Sequence, residues 1–407
     1  MSRRSNRLVG GLGAVSAFLM IGAAPLATAP AANADWDDLF QPLVDVFSFA
    51  DPGIAADTDP GSSLASLDTL IDGWYQDLIY TPIHDIAPWL FGDSLPGSAA
   101  AYTADSNNLP DSFTVPMEVY ATTQPVVSVS VGGGAAANVL VDTGAAGLVM
   151  PIWNINPFGI TGLPTGFNIG QFGGNLDYFY MELPTTVTFT GADGDTVTAD
   201  TTVDAVLFAF PANFSLFGPW SIESYLGPTN AVGVLGIGPN ALGPTPDQIP
   251  TRDLPGELGN GVLIDQANKQ LVFGDNPLQG GTVIPGAPWA DLMVSINGQD
   301  PTAVRGVIDS GGVYGTMPSS VLGNVTPTAN GTLPDGTTIT VYAKDGVTEL
   351  YSYTVGSDSG EVRSPSVTSG NSMNTGNWLF SQEPVYINYQ VSGGQTIIGG
   401  TPVVQAG

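Results

Sequence analysis

The chain has 407 residues, 37 acidic and 8 basic, for a formal net charge of −29, which excludes nucleic acid and anionic lipid as partners because both are bound through clustered Lys and Arg. It contains no cysteine and one histidine, His84. This excludes disulfides, thiolate zinc sites and a Cys nucleophile, and leaves one candidate base for any Ser-His-Asp triad.

Residues 1–34 read as a secretory signal peptide. Arg3, Arg4 and Arg7 open it, an apolar run follows to about Leu26, and Ala32-Asn33-Ala34 offers small residues before a cut at Asp35. The Arg3-Arg4 pair is a weak pointer to twin-arginine export; the general route is preferred. No later run reaches the ~18 apolar residues of a membrane-spanning helix. The chain is therefore expected to act as a secreted or cell-surface monomer.

Residues 35–112 are expected to form a partly helical appendage. Trp36, Leu39, Phe40, Leu43, Val44 and Phe47 recur at three and four, as do Leu64, Leu67, Leu70, Ile71, Trp74 and Leu78. His84 lies in this segment and reads as a surface or capping residue.

From 113 to 407 the pattern is β-branched runs and alternation: Val126–Val131, Thr185–Thr190, Thr196–Leu207 and Val385–Val391. Gly191-Ala192-Asp193-Gly194 reads as a hairpin turn. The fold class is mainly β, in two lobes of about 113–280 and 281–407. Gly132-Gly133-Gly134 lacks the Lys-Ser/Thr that a phosphate loop needs, and Asp193-Gly194-Asp195 lacks regular calcium-ligand spacing. No cofactor or metal is expected.

The decisive feature is an internal repeat. Val127–Gly133 leads through a short turn to Val139-Leu140-Val141-Asp142-Thr143-Gly144; Met293–Gly298 leads to Gly306-Val307-Ile308-Asp309-Ser310-Gly311. Met150-Pro151 and Met317-Pro318 follow each aspartate at the same interval, and the aspartates are 167 residues apart. Val234-Leu235-Gly236 and Ile397-Ile398-Gly399 stand downstream in each half. A lone Asp-hydroxyl-Gly is an ordinary turn, and a third one, Asp358-Ser359-Gly360, follows no apolar strand and reads as such. The matched pair implies two similar lobes related by a pseudo-twofold axis, with Asp142 and Asp309 meeting at it. Two carboxylates a few ångströms apart share one proton, so one serves as a general base on water and the other as a general acid.

These halves resemble the pepsin-like aspartic proteases, and more closely the PecA-like, PE-family-associated proteases of the mycobacterial surface. The resemblance covers about Phe113 to Gly407. It implies a bilobal fold, Asp142 and Asp309 as the catalytic pair, and Thr143 and Ser310 hydroxyls bonded across to the opposite turn. Gly144 and Gly311 would let backbone N–H groups approach the carboxylates, and the two apolar-apolar-Gly elements would run beside the turns.

It also implies a flap between Asn168 and Val187. Gln171-Phe172-Gly173-Gly174 is the candidate tip, with Phe172 as its aromatic and Tyr178 and Tyr180 as competitors. Two departures stand out. Ala145 and Gly312 occupy positions where pepsin-type enzymes carry a hydroxyl bonded to the outer carboxylate oxygen, which predicts raised carboxylate pKa values and a pH optimum above pepsin's. Residues 35–112 contain no Lys or Arg, so they cannot lock the acidic pair electrostatically.

The leading reading is an exported aspartic endopeptidase acting on extended peptides, with protein substrates that include envelope proteins or the chain itself. Its rivals are a protease-like surface protein that binds without turnover, and an envelope scaffold.

Overall fold

A computed structural model describes residues 110–402, except 122, 213–217, 246 and 359–360. The expected signal peptide, His84 and nearly all of the expected appendage lie outside these residues.

Strands form where β-branched and aromatic residues alternate with polar ones. In chain order the first half has β1 (Ser112–Tyr120), β2 (Gln124–Val131), β3 (Ala137–Asp142), β4 (Ala146–Pro151), β5 (Gly166–Phe172), β6 (Leu176–Thr190), β7 (Thr196–Pro211), the short helix α1 (Ile222–Leu226) and β8 (Gly233–Ile237). Strands β9 (Gly261–Asp265), β10 (Gln270–Gly274), β11 (Leu278–Gln279) and β12 (Thr282–Pro285) follow. The second half has β13 (Trp289–Ile296), β14 (Thr302–Val307), β15 (Thr316–Pro318), β16 (Thr338–Ala343), β17 (Glu349–Thr354), β18 (Gly356–Asp358), β19 (Glu361–Arg363), β20 (Ser366–Thr368) and β21 (Ser372–Asn374). Helix α2 (Trp378–Gln382) then precedes β22 (Val385–Asn388), β23 (Gln395–Ile398) and β24 (Thr401–Pro402).

The Gly191–Gly194 hairpin closes as read, and tight turns also join β2 to β3 and β13 to β14. Gly132 and Gly133 take φ of +62° and +69° at the β2–β3 turn, and Asn297 and Gly298 take +53° and +73° at the β13–β14 turn. Both central residues of each β-turn thus lie in the left-handed region, and the Gly134 and Gln299 N–H groups close the turns on Val131 and Ile296 C=O. Gly191–Gly194 joins β6 to β7, with Gly194 N–H donating to Gly191 C=O. Asp358 ends the small β18–β19 ladder, and the two residues after it are not described.

Each lobe repeats one crossover. Strand β3 pairs in parallel with β8, which pairs antiparallel with β4. In the second lobe β14 pairs in parallel with β21, which meets β15 antiparallel. The chain therefore leaves each aspartate, steps over an intervening strand and returns. Met150-Pro151 pairs in parallel with β7 and Met317-Pro318 with β20, so the repeated Met-Pro marks equivalent strands.

One expectation fails here. Ile397-Ile398 does not run beside Asp309; β23 pairs with β12 and β22, and β22 with β9. After α2 the chain leaves the second-lobe sheet and joins the shared one, whose order is β12-β23-β22-β9-β10-β1 before it continues into the first lobe. The apolar pair reflects burial in that shared sheet, where Ile397 and Ile398 are both covered, and not the catalytic crossover. The strand beside Asp309 is Ser372-Met373-Asn374.

Strands β4 and β8 are buried at every position, the mark of strands covered on both faces. Each Val or Leu there contributes roughly 1.5–3 kcal/mol of burial. This packing is what holds the Asp142 turn rigid.

Candidate active site

The two Asp-hydroxyl-Gly turns meet and brace each other. Thr143 Oγ1 accepts from the Ser310 N–H at 2.8 Å and donates to Ile308 C=O at 2.6 Å. Reciprocally, Ser310 Oγ accepts from the Thr143 N–H at 3.0 Å and donates to Val141 C=O at 2.7 Å. Thr143 and Ser310 are both 0% exposed, so these four bonds lie out of water and define one geometry.

The brace brings Asp142 and Asp309 together, each carboxyl lying against the glycine of the opposite turn. Gly144 N–H donates to Asp142 Oδ1 at 2.6 Å; Gly311 and Gly312 N–H both donate to Asp309 Oδ1, at 2.8 and 2.9 Å. A methyl group on Gly144 would sit 2.8 Å from the Asp309 carboxyl carbon, and one on Gly311 would collide with that of Asp142. Each glycine is therefore the floor on which the opposite carboxyl rests. Burial, then the Asp309 charge, then the hydrogen bond shared with it push the Asp142 carboxyl well above the usual range, against the Gly144 and Ala145 N–H groups that favour its charged form.

The segment 374–377 wraps the second turn. Asp309 N–H donates to Thr375 Oγ1 at 3.1 Å, the Asn377 amide donates to Ser310 C=O, and Asn374 Nδ2 donates to Asp309 Oδ2 at 2.5 Å. Gln124 Nε2 reaches across from the first lobe to Gly311 C=O at 2.8 Å. At Ala145 the hydroxyl foreseen as missing is absent, and Asp142 is raised. At Gly312 the expectation of a lost bond is corrected, because Asn374 supplies a donor to Asp309 from another strand.

Strands β5 and β6 form the expected hairpin, with its tip at Gly173 and Gly174 (φ +53° and +71°) and the Asn175 N–H on Phe172 C=O at 3.0 Å. Phe172 stacks on Tyr178 (centroids 4.7 Å apart) and on Tyr225 of α1 (5.9 Å). Tyr178 in turn lies against Tyr180 (5.6 Å), and both are buried. The Tyr225 hydroxyl fills the space that a Gly173 methyl would need. Burial raises Tyr178 and Tyr225; among their further causes the Asp142 charge acts on both, and that of Asp309 on Tyr225. Phe172, Tyr178 and Tyr225 thus form one aromatic wall beside the carboxyls, with Tyr180 behind it.

Sequence reasoning missed Asn374, Thr375, Asn377, Gln124 and Tyr225. None sits in a repeated motif; Gln124, Tyr225 and Asn374 reach the site from β2, α1 and β21, and Thr375 and Asn377 from the link between β21 and α2. Asn374 had one readable signal, its place in Met-Asn-Thr-Gly ahead of the apolar Trp378–Phe380 run. A further buried acid, Asp204 of β7, was also unforeseen. Its Oδ2 accepts from Thr245 Oγ1 at 3.0 Å, and burial holds its carboxyl well above the usual range. Among the described residues no three His, Cys, Asp or Glu side chains gather as a metal site.

Residues 113–397 match the family described as the PE-PGRS C-terminal aspartyl peptidase-like domain. PE cleavage protein A of Mycobacterium tuberculosis is 42% identical over 298 residues, 70% of this chain and 51% of that protein. The Mycobacterium marinum protein of the same name is 43% identical over 307 residues, 72% and 53%. The chain spans about half the length of the curated relatives it matches. On the extent of that match and the paired Asp-hydroxyl-Gly turns, the chain belongs to the PE-PGRS C-terminal aspartyl peptidase-like family.

Proposed function

We propose that this chain is an exported aspartic endopeptidase that hydrolyses peptide bonds with Asp142, Asp309 and a water held between them. The observation that carries this reading is the convergence of the two carboxyls, each seated on the opposite turn's glycine and fixed by the Thr143–Ser310 brace. The ionised carboxyl takes a proton from water as its oxygen attacks the peptide carbonyl carbon; the protonated one gives its proton to the carbonyl oxygen. The resulting gem-diol collapses when the amide nitrogen takes the proton held by the first carboxyl. The C–N bond then breaks, and a diol hydroxyl returns its proton to the second. The hairpin with Phe172 at its tip acts as the flap, pairing with an extended substrate strand.

The name of the relatives, PE cleavage protein A, extends the proposal to PE proteins as substrates. The signal-like residues 1–34 support export. A binding-only protein has no need of a proton-sharing pair.

The test is cleavage of a random peptide library by the purified chain, read by mass spectrometry, beside Asp142→Asn and Asp309→Asn. The reading requires cleavage by the wild type and loss of it in both variants, with circular dichroism unchanged. Cleavage that survives either change would overturn it.

A further inference from the structure

We propose that Asn374 is the positioning residue that makes Asp309 the ionised, water-activating member of the pair and leaves the shared proton on Asp142. The inference rests on the aspartic-peptidase reading and adds a direction to it. Gly376 N–H donates to the Asn374 side chain at 2.8 Å. A backbone N–H only donates, so the atom it meets is the amide oxygen. The amide nitrogen is thereby turned onto Asp309 Oδ2. An amide NH₂ has no lone pair to offer a carboxylic O–H, so this oxygen must accept.

The other oxygen, Oδ1, already accepts from Gly311 and Gly312. Asp309 therefore faces three donors, each favouring its charged form. Asp142 is held by the N–H groups of Gly144 and Ala145 and by Asp309 itself, and Ala145 has no hydroxyl to add. The proton between the acids stays on the side with fewer donors. The titratable groups facing the pair are each other, Tyr225 from α1 and Tyr178 from β6, while Tyr351 of β17 lies behind the Thr375 carbonyl.

Geometry also says why no hydroxyl residue follows the second turn. A methyl group on Gly312 would meet Asn374 Oδ1 at 2.9 Å and Asp309 Oδ2 at 3.0 Å. Asn374 occupies the space from which a hydroxyl at position 312 would reach the carboxylate, so the two solutions exclude each other.

The experiment compares wild type, Asn374→Ala, Asn374→Asp, Gln124→Ala and the double variant Asn374→Ala/Gly312→Ser. It measures pH profiles of kcat/KM on one peptide, with infrared titration of the protonated carboxyl as a second readout. The acidic limb of kcat/KM reports protonation of the free base. Removing the donor should move that limb up by about one pH unit, a tenfold loss on the limb. The isosteric Asn374→Asp should move it further, since a third carboxyl opposes the charge. The hydroxyl introduced by Gly312→Ser in the double variant should draw the limb back down. Gln124→Ala, which loosens the turn without touching a carboxylate, should lower Tm and leave the limb in place.

In the infrared titration the protonated carboxyl should persist in Asp309→Asn and vanish in Asp142→Asn. An unmoved limb in both Asn374 variants, an equal shift in Gln124→Ala, or a proton found on Asp309 would each overturn the proposal. If wild type cleaves nothing, the peptidase reading fails and the infrared titration still decides where the proton lies.

Discussion

Replacing Thr143 by valine tests whether the two turns are one mechanical unit. The side chains are nearly isosteric, so packing is kept and only the hydroxyl is lost. Two buried groups lose their partners: the Ser310 N–H at 2.8 Å and the Ile308 carbonyl at 2.6 Å. An orphaned buried donor or acceptor costs about 1–3 kcal/mol, so the substitution should destabilise by about 2–6 kcal/mol. Ser310→Ala orphans the mirror pair, the Thr143 N–H and the Val141 carbonyl. Once either brace opens, water reaches both turns. The double variant should therefore cost less than the sum, with a coupling of about 0.5–3 kcal/mol. Guanidinium melts of the four proteins, followed by tryptophan fluorescence, close the cycle. Thr143→Ser keeps the hydroxyl and should stay close to wild type in stability. A Thr143→Val cost below about 0.5 kcal/mol, the size of an ordinary surface change, with additivity in the double variant, would refute the reasoning.

Further outcomes follow from the same contacts. Asp204 has a raised folded carboxyl, so its neutral form carries its stabilising contribution below the usual 3.8, and that contribution is lost as pH rises through the raised value. Asp204→Asn should therefore raise Tm at pH 7, with the gain fading towards pH 3; equal Tm differences at both pH values would contradict the assignment. Gly311→Ala would press a methyl against the Asp142 carboxyl and should cut kcat by ~100-fold or more, the scale of a displacement of about 1 Å, with circular dichroism unchanged. Tyr225→Ala removes the ring on which Phe172 stacks, an aromatic contact of about 0.5–1.5 kcal/mol. It should raise KM about two- to tenfold with a smaller effect on kcat, and an unchanged KM would detach α1 from substrate binding.

Much of the architecture is legible in the chain because it is written twice. Strand–turn–strand–Asp–hydroxyl–Gly, then Met-Pro, occurs in both halves, and local rules suffice to read it: positive-φ turns at Gly132-Gly133 and Asn297-Gly298, and apolar runs feeding Asp142 and Asp309. The β5–β6 hairpin is legible for the same reason, since Gly173-Gly174 between alternating strands is a local turn signal. Ile397-Ile398-Gly399 misled because an apolar pair before glycine says that a strand is buried, without saying in which sheet. Where two strands lie side by side across long sequence separations, the choice belongs to packing.

Sequence by itself determined the β class and the twofold repeat of the Asp-hydroxyl-Gly turns, both of which rest on periodicity and motif within short windows. Only the tertiary structure decided that Ser372-Met373-Asn374 is the strand beside Asp309, that Asn374 takes the place of a hydroxyl, and that Tyr225 backs the hairpin tip. The physical reason is that a donor's effect on a carboxylate depends on a separation of about 3 Å through space, whatever the distance along the chain.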